Sequence, residues 1–557
     1  MTDASGAVLE LQQLRLRYPS SPAWTLDGLD LRLAPGERLA LVGPSGCGKS
    51  TVARAALQLL PKGSCCEGGL ALNGRDPRRL AIPDLRALRG ESVGLVFQDP
   101  MTRLNPLMTI GDHLLDTLRA HRPEMPARTR RERAEALLEQ VGIGAGRFNA
   151  YPHEFSGGMR QRLAIALAIV LSPPLVIADE PTTSLDVAVA GQVMAALRDL
   201  CDDLGSALLL ITHDLAMAHR WCERMAVLDG GRVAEINASD VVLTYPSSRV
   251  GQRLLAAARA REGGATPASS AATVVLDVQE LRCWHNLGGP PWAPNWLKAV
   301  DGISFRLNAG ETLGVVGGSG CGKSTLCRAL MGLTPIRGGQ VRLFERDLLL
   351  SRGREARALR RSIQMVFQDP LACLNPAMTV ADAIADPLLI HGLASRASAR
   401  ERARELLERV GLGRSERFQN RLPRQLSGGQ QQRVAIARAL ALNPKVLICD
   451  ESVSMLDAEI QAEVLALLRS LQHRLGLAMV FVTHDLSVAS GFCHQVIVLD
   501  QGHVVEQGPG DQLLRQPQAA ITQTLVEACP RLPAARAPTA TSPSPVGVGL
   551  QTPSVPG

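Results

Sequence analysis

Short, mainly apolar runs alternate with helical patterns along most of this chain, and they do so twice. RLALV at 38–42 and TLGVV at 312–316 each run into a glycine-rich turn. LVIA at 175–178 and VLIC at 446–449 each end in paired carboxylates, Asp179-Glu180 and Asp450-Glu451. LLLIT at 208–212 and VFVT at 480–483 each end at a histidine, His213 and His484. Apolar runs of this length, bounded by turn residues, read as strands buried on both faces. Such strands separated by helices predict a mainly parallel sheet, with functional side chains at the carboxyl ends of its strands.

Between Gln98 and Ser156 the pattern turns helical. Ala134, Leu137, Leu138 and Val141 form an i, i+3, i+4, i+7 stripe, and Ala403, Leu406, Leu407 and Val410 repeat it. The other faces carry many Arg and Glu, which reads as solvated surface. An RNA- or lipid-binding face is the alternative.

The alternation is a true repeat. GPSGCGKST at 43–51 returns as GGSGCGKST at 317–325, an offset of 274. Gln98 and Gln368 are offset by 270, and Ser156/Ser427, Asp179/Asp450 and His213/His484 by 271. Spacing held over hundreds of residues marks two copies of one domain. Unit one is read as 1–255 and unit two as 274–529. A flexible linker rich in Gly, Ala and Ser is read at 256–273, and a disordered tail rich in Pro, Ser and Thr at 530–557.

Composition narrows the class. With 46% apolar and 20% charged residues, the chain should fold into globular domains. A net charge of +7 over 557 residues makes no case for nucleic acid, and no nucleic-acid partner is expected. The twelve cysteines form no CxxC pair, which fits a reducing compartment. The start, MTDASGAVLELQ, lacks a signal pattern. The longest apolar stretch, 164–178, is broken by Ser172-Pro173-Pro174, whereas a membrane span needs roughly 20 apolar residues. Any membrane process would be served through a partner.

A Gly-x-x-x-x-Gly-Lys-Ser run between a strand and a helix cradles phosphate. Gly43, Ser45, Gly46, Cys47 and Gly48, and in unit two Gly317, Ser319, Gly320, Cys321 and Gly322, form the turn. Its backbone N–H groups point inward and the helix N-terminus adds positive potential. Lys49 and Lys323 should reach the β- and γ-phosphates, and Ser50 and Ser324, followed by Thr51 and Thr325, should ligate Mg²⁺. Asp179 and Asp450 are placed to hold Mg²⁺ or its water, and Glu180 and Glu451 to polarise an attacking water. Ser156-Gly157-Gly158 and Ser427-Gly428-Gly429-Gln430 each open a helix and offer a second anion site. Cys47 and Cys321 adjoin a helix N-terminus and a lysine, which predicts a lowered thiol pKa where exposed and an inert thiol where buried.

With these parts in place, each unit resembles an ATP-binding cassette (ABC) ATPase domain, over nearly all of the chain but linker and tail. The resemblance implies an α/β fold of two tandem P-loop ABC ATPase domains. Each would have a mainly parallel sheet core, an antiparallel β subdomain and a helical subdomain. It implies ATP and Mg²⁺ as cofactors, with Glu180, Glu451, His213 and His484 catalytic and the two domains head to tail. Gln98 and Gln368 match the residue that senses Mg²⁺ and the γ-phosphate and touches the membrane partner. Residues 183–186 and 454–457 match the loop that crosses the interface. Tyr18 matches an adenine-stacking aromatic, a core tyrosine being the other reading. In unit two, Trp284 and His285 share that position.

FQDPxxxLNP at 97–106 and 367–376 resembles the ATPase subunits of dipeptide, oligopeptide and nickel importers. SGGM in unit one and LSGGQ in unit two match the two different subunits of such systems, so the chain looks like both fused. This implies two membrane permease subunits docked near the Gln98 and Gln368 loops and, indirectly, a solute-binding protein. It implies a peripheral position on the cytoplasmic face of the inner (plasma) membrane. Neither unit ends in the Cys-rich segment of many peptide-importer ATPases. Peptides, nickel, metal chelates and related solutes therefore all stay open. The alternative is a soluble tandem ABC ATPase acting on ribosomes or DNA. The short linker and the lack of CxxC pairs count against it.

Overall fold

The computed structural model describes residues 6–98, 103–183, 185–262, 273–290, 292, 294–348, 350–413, 415–454 and 456–533. In unit one the apolar runs assemble into a six-stranded sheet. Its order is Val93–Val96, Leu175–Asp179, Ala207–Ile211, Arg38–Val42, Arg224–Asp229, Arg232–Ala238. All neighbours are parallel except the last pair. Unit two repeats the order and sense with Ile363–Val366, Val446–Asp450, Ala478–Thr483, Thr312–Gly317, Gln495–Asp500 and His503–Gly508. The runs are strands because both faces are covered: Leu208, Leu209 and Leu210 are completely buried, as are Leu447 and Ile448. This order sets the glycine-rich turn, the histidine and the carboxylates at three adjacent strand ends.

A smaller antiparallel sheet covers one face. In unit one it is Leu26–Leu33, Leu9–Arg17 and Cys65–Leu72. Leu9, Leu11, Leu14 and Leu16 all face the core, although Leu11 to Leu14 breaks the two-residue period; a register shift there absorbs the extra residue. Unit two extends this sheet to four strands, Trp296–Asn308, Val274–Asn286, Gly338–Leu343 and Arg346–Asp347.

The other face carries helices. Ala134, Leu137, Leu138 and Val141, on and just after helix Ala127–Gln140, are buried, as are Ala403, Leu406, Leu407 and Val410 in unit two. On the opposite face of that helix, Arg128 pairs with Glu132 and Arg131 with Glu135 at i, i+4 spacing. The fold expectations drawn from the repeat are met in both units.

Each unit's last helix packs on its own core and also lies against the other unit. Arg249–Glu262 of unit one lies against Ala458–Leu475 and Leu486–Phe492 of unit two, and Ala520–Ala528 of unit two lies against Val187–Leu204 of unit one. Arg253 pairs with Glu459 at 3.5 Å, and the Arg220 guanidinium donates to the Glu527 and Ala528 carbonyls at 3.0 and 3.1 Å. Helix Arg249–Glu262 thus runs beyond residue 255, where the sequence reading begins the linker. Leu532, read as tail, packs on the unit-one core. The rest of the expected linker and tail, 263–272 and 534–557, lies outside the described residues. Among the described residues, no helix is long and apolar enough to cross a membrane.

Candidate nucleotide sites

Each glycine-rich turn leaves no room for a side chain where the helix begins. Gly48 and Gly322 have φ of 109° and 111°. A Cβ on Gly48 would stand 2.8 Å from Leu26 Cδ2, and one on Gly322 would strike the Ala299 carbonyl. Helices Lys49–Ala56 and Lys323–Leu330 then start with no side-chain cap, which leaves their first N–H groups for an anion. Lys49 Nζ donates to the Gly43 and Pro44 carbonyls at 2.8 and 2.9 Å, and Lys323 Nζ to those of Gly317 and Gly318 at 2.9 Å each. Both ammonium groups are buried at the turn they would serve. Ser50 Oγ donates to Asp179 Oδ1 at 3.0 Å, and Ser324 Oγ to Asp450 Oδ1 at 3.4 Å. These paired oxygens are the hard donors that suit Mg²⁺.

The turn cysteines depart from the activated-thiol expectation. Cys47 and Cys321 are only 8% and 6% exposed. Burial pushes both thiols above their ordinary pKa, more than Lys49 and Lys323 pull them down.

Glu180 and Glu451 sit in left-handed backbone, with φ of 47° and 45°. A non-glycine residue there costs about 1–3 kcal/mol. Their amides are retained by the Ile211 and Val482 carbonyls at 2.9 and 3.0 Å. The Glu180 carboxylate gathers Gln98 Nε2 at 2.9 Å, Thr183 Oγ1 at 3.0 Å and His213 Nδ1 at 3.2 Å. Glu451 takes Gln368 Nε2 at 2.9 Å, with His484 Nδ1 and Lys323 Nζ each at 3.8 Å. Its counterpart of Thr183, Ser454, donates instead to the Glu451 carbonyl. Burial raises Glu180, but His213, Thr183 and Lys49 together bring it below the ordinary value. His484 is the largest influence lowering Glu451, against burial. Asp179 and Asp450 shift the other way, raised chiefly by burial. In each adjacent pair, then, the two carboxyls shift in opposite directions, the aspartate up and the glutamate down.

Ser156 and Ser427 cap helices Gly157–Ile169 and Gly428–Leu440, accepting from the Met159 and Gln430 amides at 3.4 Å. Gln430 Oε1 also accepts from the Ser427 amide at 3.1 Å, a reciprocal bond that Met159 has no atom to make.

The two sets of residues meet in one place. A cavity of about 300 Å³ between the units is walled by Ser45, Gln98, Glu180 and His213 together with Ser319, Gln368, Glu451 and His484. Asp186 bridges it: one oxygen accepts from the Val189 amide at 2.9 Å, capping its own helix, and the other from the Ser319 amide at 3.2 Å. Its mirror images Asp457 and Ser45 line the same cavity. The interface-crossing loop of unit one thus meets the phosphate turn of unit two. Ser156 and Ser427 do not stand on this wall. Residues 99–102, Ser184 and Met455 lie outside the described residues. Tyr18 is half-buried, with its hydroxyl 3.2 Å from Thr51 Oγ1. Trp284 Nε1 donates to Asp301 at 3.3 Å, and His285 is exposed.

Sequence reasoning missed the role of Thr183 as a Glu180 partner and the strained glutamate backbone. No glycine or asparagine marks that strain.

The ABC transporter family profile matches residues 26–183 and again 300–454. The chain is 40% identical to the peptidoglycan transport ATP-binding protein YejF of Agrobacterium fabrum, over 94% of this chain and 96% of that protein. It is 36% identical to the oligopeptide transport ATP-binding protein OppD of Mycobacterium tuberculosis, over 95% of this chain and 99% of that one. It is 37% identical to the glutathione import ATP-binding protein GsiA of Pectobacterium atrosepticum, over 94% and 89%. The chain belongs to the ABC transporter family and is an ATPase with two fused ATP-binding units. The ribosome or DNA alternative is not favoured.

Proposed function

We propose that this ABC ATPase energises import of a small peptide-like solute from the cytoplasmic face of the membrane, through two permease subunits fed by a solute-binding protein. The observation that carries this is the full-length likeness to importer ATP-binding subunits whose names specify peptidoglycan, oligopeptide and glutathione transport. Two grooves support the partner. One, about 360 Å³, is walled by Leu57, Leu59, Phe97, Arg103 and Leu104. The other, about 680 Å³, is walled by Met331, Arg352, Phe367, Ile390 and Arg438. Phe97 and Phe367 immediately precede Gln98 and Gln368, so a permease segment seated in either groove would press on a residue that hydrogen-bonds a candidate catalytic glutamate.

In this reading ATP phosphates lie on the turns 43–51 and 317–325, held by their amides and by Lys49 and Lys323. Ser50 with Asp179, and Ser324 with Asp450, would hold Mg²⁺, Gln98 and Gln368 completing the oxygen set. The ion would supply neutralisation of charge developing on the phosphates. Glu180 and Glu451 orient the attacking water and accept its proton. His213 and His484 hold the glutamates and face the γ-phosphate. Ser156 and Ser427, with Gly157, Gly158, Gly428, Gly429 and Gln430, cap the nucleotide from the opposite unit once ATP draws the halves together. Tyr18 and, in unit two, Trp284 or His285 flank the base.

Uptake of radiolabelled di- to pentapeptides in a strain lacking this gene tests the reading. Uptake should be lost, and should return with the wild-type chain but not with the Glu180→Gln/Glu451→Gln chain. Unchanged uptake of every peptide would overturn the proposal.

A further inference from the structure

The two oxygens of the Glu180 carboxylate are held unevenly. Oε2 accepts two hydrogen bonds, from Gln98 Nε2 at 2.9 Å and from Thr183 Oγ1 at 3.0 Å. Oε1 meets His213 Nδ1 at 3.2 Å. An ionised carboxylate has no proton to give, so the amide, the hydroxyl and the imidazole nitrogen all donate to it. Each carboxylate oxygen offers two lone pairs. Gln98 and Thr183 thus fill Oε2, and among the described residues one lone pair of Oε1 stays open.

Thr183 stands where it can keep this arrangement. It lies three residues past Glu180, in a turn closed by its own amide on the Glu180 carbonyl at 3.3 Å. It also begins the loop that crosses the interface, and Asp186 pins the far end of that loop by accepting from the Val189 and Ser319 amides. Its side chain is half-buried on the wall of the cavity that Glu180 and His213 share. The turn alone does not send the hydroxyl to the carboxylate. In unit two the same turn forms, with the Ser454 amide on the Glu451 carbonyl at 3.2 Å, yet Ser454 Oγ donates to that carbonyl at 2.8 Å. Such a bond back to the main chain is the local alternative open to any serine or threonine. Thr183 makes the carboxylate bond instead, and it is among the groups that bring Glu180 below its ordinary pKa.

We propose that Thr183 is a positioning residue for hydrolysis in unit one: by occupying Oε2, it leaves Oε1 as the oxygen that takes the proton of the attacking water. That proton passes to Oε1 as the water oxygen bonds the γ-phosphorus and the bond to ADP breaks. Without the hydroxyl, Oε2 has a free lone pair of its own. The water then has two seats on the carboxylate, and the one that aims it at phosphorus is no longer singled out. This rests on the reading of Glu180 given above.

Photolabelling of the full chain with radioactive 8-azido-ATP tests it. A protease site inserted within 263–272 lets the halves be separated afterwards. Labelling on ice without vanadate reads nucleotide binding, and labelling after warm incubation with Mg²⁺ and vanadate reads turnover. The Glu180→Gln chain should bind but not trap in its unit-one half; trapping at the parent level there would refute the reading of Glu180 itself, whatever Thr183 does. Thr183→Val keeps the branched shape and removes the donor. Trapping in the unit-one half should fall by about tenfold, the effect of losing one charge-assisted hydrogen bond. Binding label in that half should stay within about twofold. Thr183→Ser returns the hydroxyl and should restore most of the trapping. Unchanged trapping in Thr183→Val would show the hydroxyl to be idle. Binding that falls in step with trapping would show a role in the shape of the site, and a serine as poor as valine would show that the branched side chain, not its hydroxyl, matters. Each of these three results overturns the proposal.

Discussion

Glu180 and Glu451 occupy backbone that glycine or asparagine would adopt at less cost, yet each is held there by a carbonyl from the neighbouring strand. Strain kept at a carboxylate with glutamine and histidine partners is what a water-orienting group requires, because positioning supplies most of the rate in phosphoryl transfer. Glu→Gln at both positions keeps the shape and removes the charge that draws in His213 and His484. Steady-state ATP turnover should drop by about a hundredfold or more, with nucleotide affinity retained. Turnover near the parent rate would remove both glutamates from the mechanism. The turn cysteines bear an opposite expectation. Burial raises Cys47 and Cys321 above the usual thiol pKa, so the reactive thiolate is scarcer at any given pH. Maleimide should label them slowly in the native protein at neutral pH, faster only above the usual thiol range, and fully once the chain is denatured. Fast native labelling would show that the turn opens. The site was legible at this scale where a residue type is tied to a chemistry, as with Lys49, Ser50, Asp179 and His213. It was not legible where only the fold sets the environment. The sequence neighbours of Cys47 predict activation, but the surrounding apolar residues that bury it come from strands far along the chain.

The strands were read almost to their ends, because a run such as RLALV has one stable use once both faces are covered. The helices of the insert were read from one apolar stripe. Contacts between elements were harder. Nothing in Ser-Gly-Gly says what presses on the second glycine, but the structure does. A Cβ on Gly158 would collide with Val189, and one on Gly429 with Ile460, each at the start of the helix that follows the interface-crossing loop. The two helix starts are therefore in contact, so movement of the Ser-Gly-Gly segment must carry the loop with it. Gly158→Ala or Gly429→Ala should overpack this joint and cost about 1–3 kcal/mol. That corresponds to a melting temperature lower by roughly 2–4 °C per kcal/mol for a unit of this size, measured calorimetrically. Gly157→Ala should cost less, since a Cβ there meets only Leu185 Cδ2, a mobile methyl, at 3.3 Å. Equal melting points for Gly157→Ala and Gly158→Ala would rule out the close joint.

At the scale of the molecule, the duplication foretold two ATP-binding units but not the packing of each last helix across to the other unit. The residues that make these cross-unit contacts, Arg220, Arg253, Arg261 and Leu532, follow no motif. Arg253 and Arg261 lie on a helix whose charges read equally well as solvated. These contacts bear on whether the head-to-tail pair forms within one chain or between two. Asp186 reaches Ser319, Arg253 reaches Glu459 and Arg261 reaches Asp485, all in a single copy. Tethered partners meet at an effective concentration of order millimolar, far above that of a second chain in dilute solution. The Glu180→Gln/Glu451→Gln chain, which should hold ATP without hydrolysing it, isolates the question. Light scattering after size exclusion should give the mass of one chain, 59.5 kDa, both without nucleotide and with saturating Mg-ATP. The hydrodynamic radius should shrink slightly as the Ser-Gly-Gly segments close on the nucleotides. After cleavage at a site inserted within 263–272, the halves should still elute together, held by the packing of each last helix on the other unit. A mass that doubles on adding ATP would mean that the sites are completed between chains, and halves that separate on cleavage would mean that the last helices do not hold the units together.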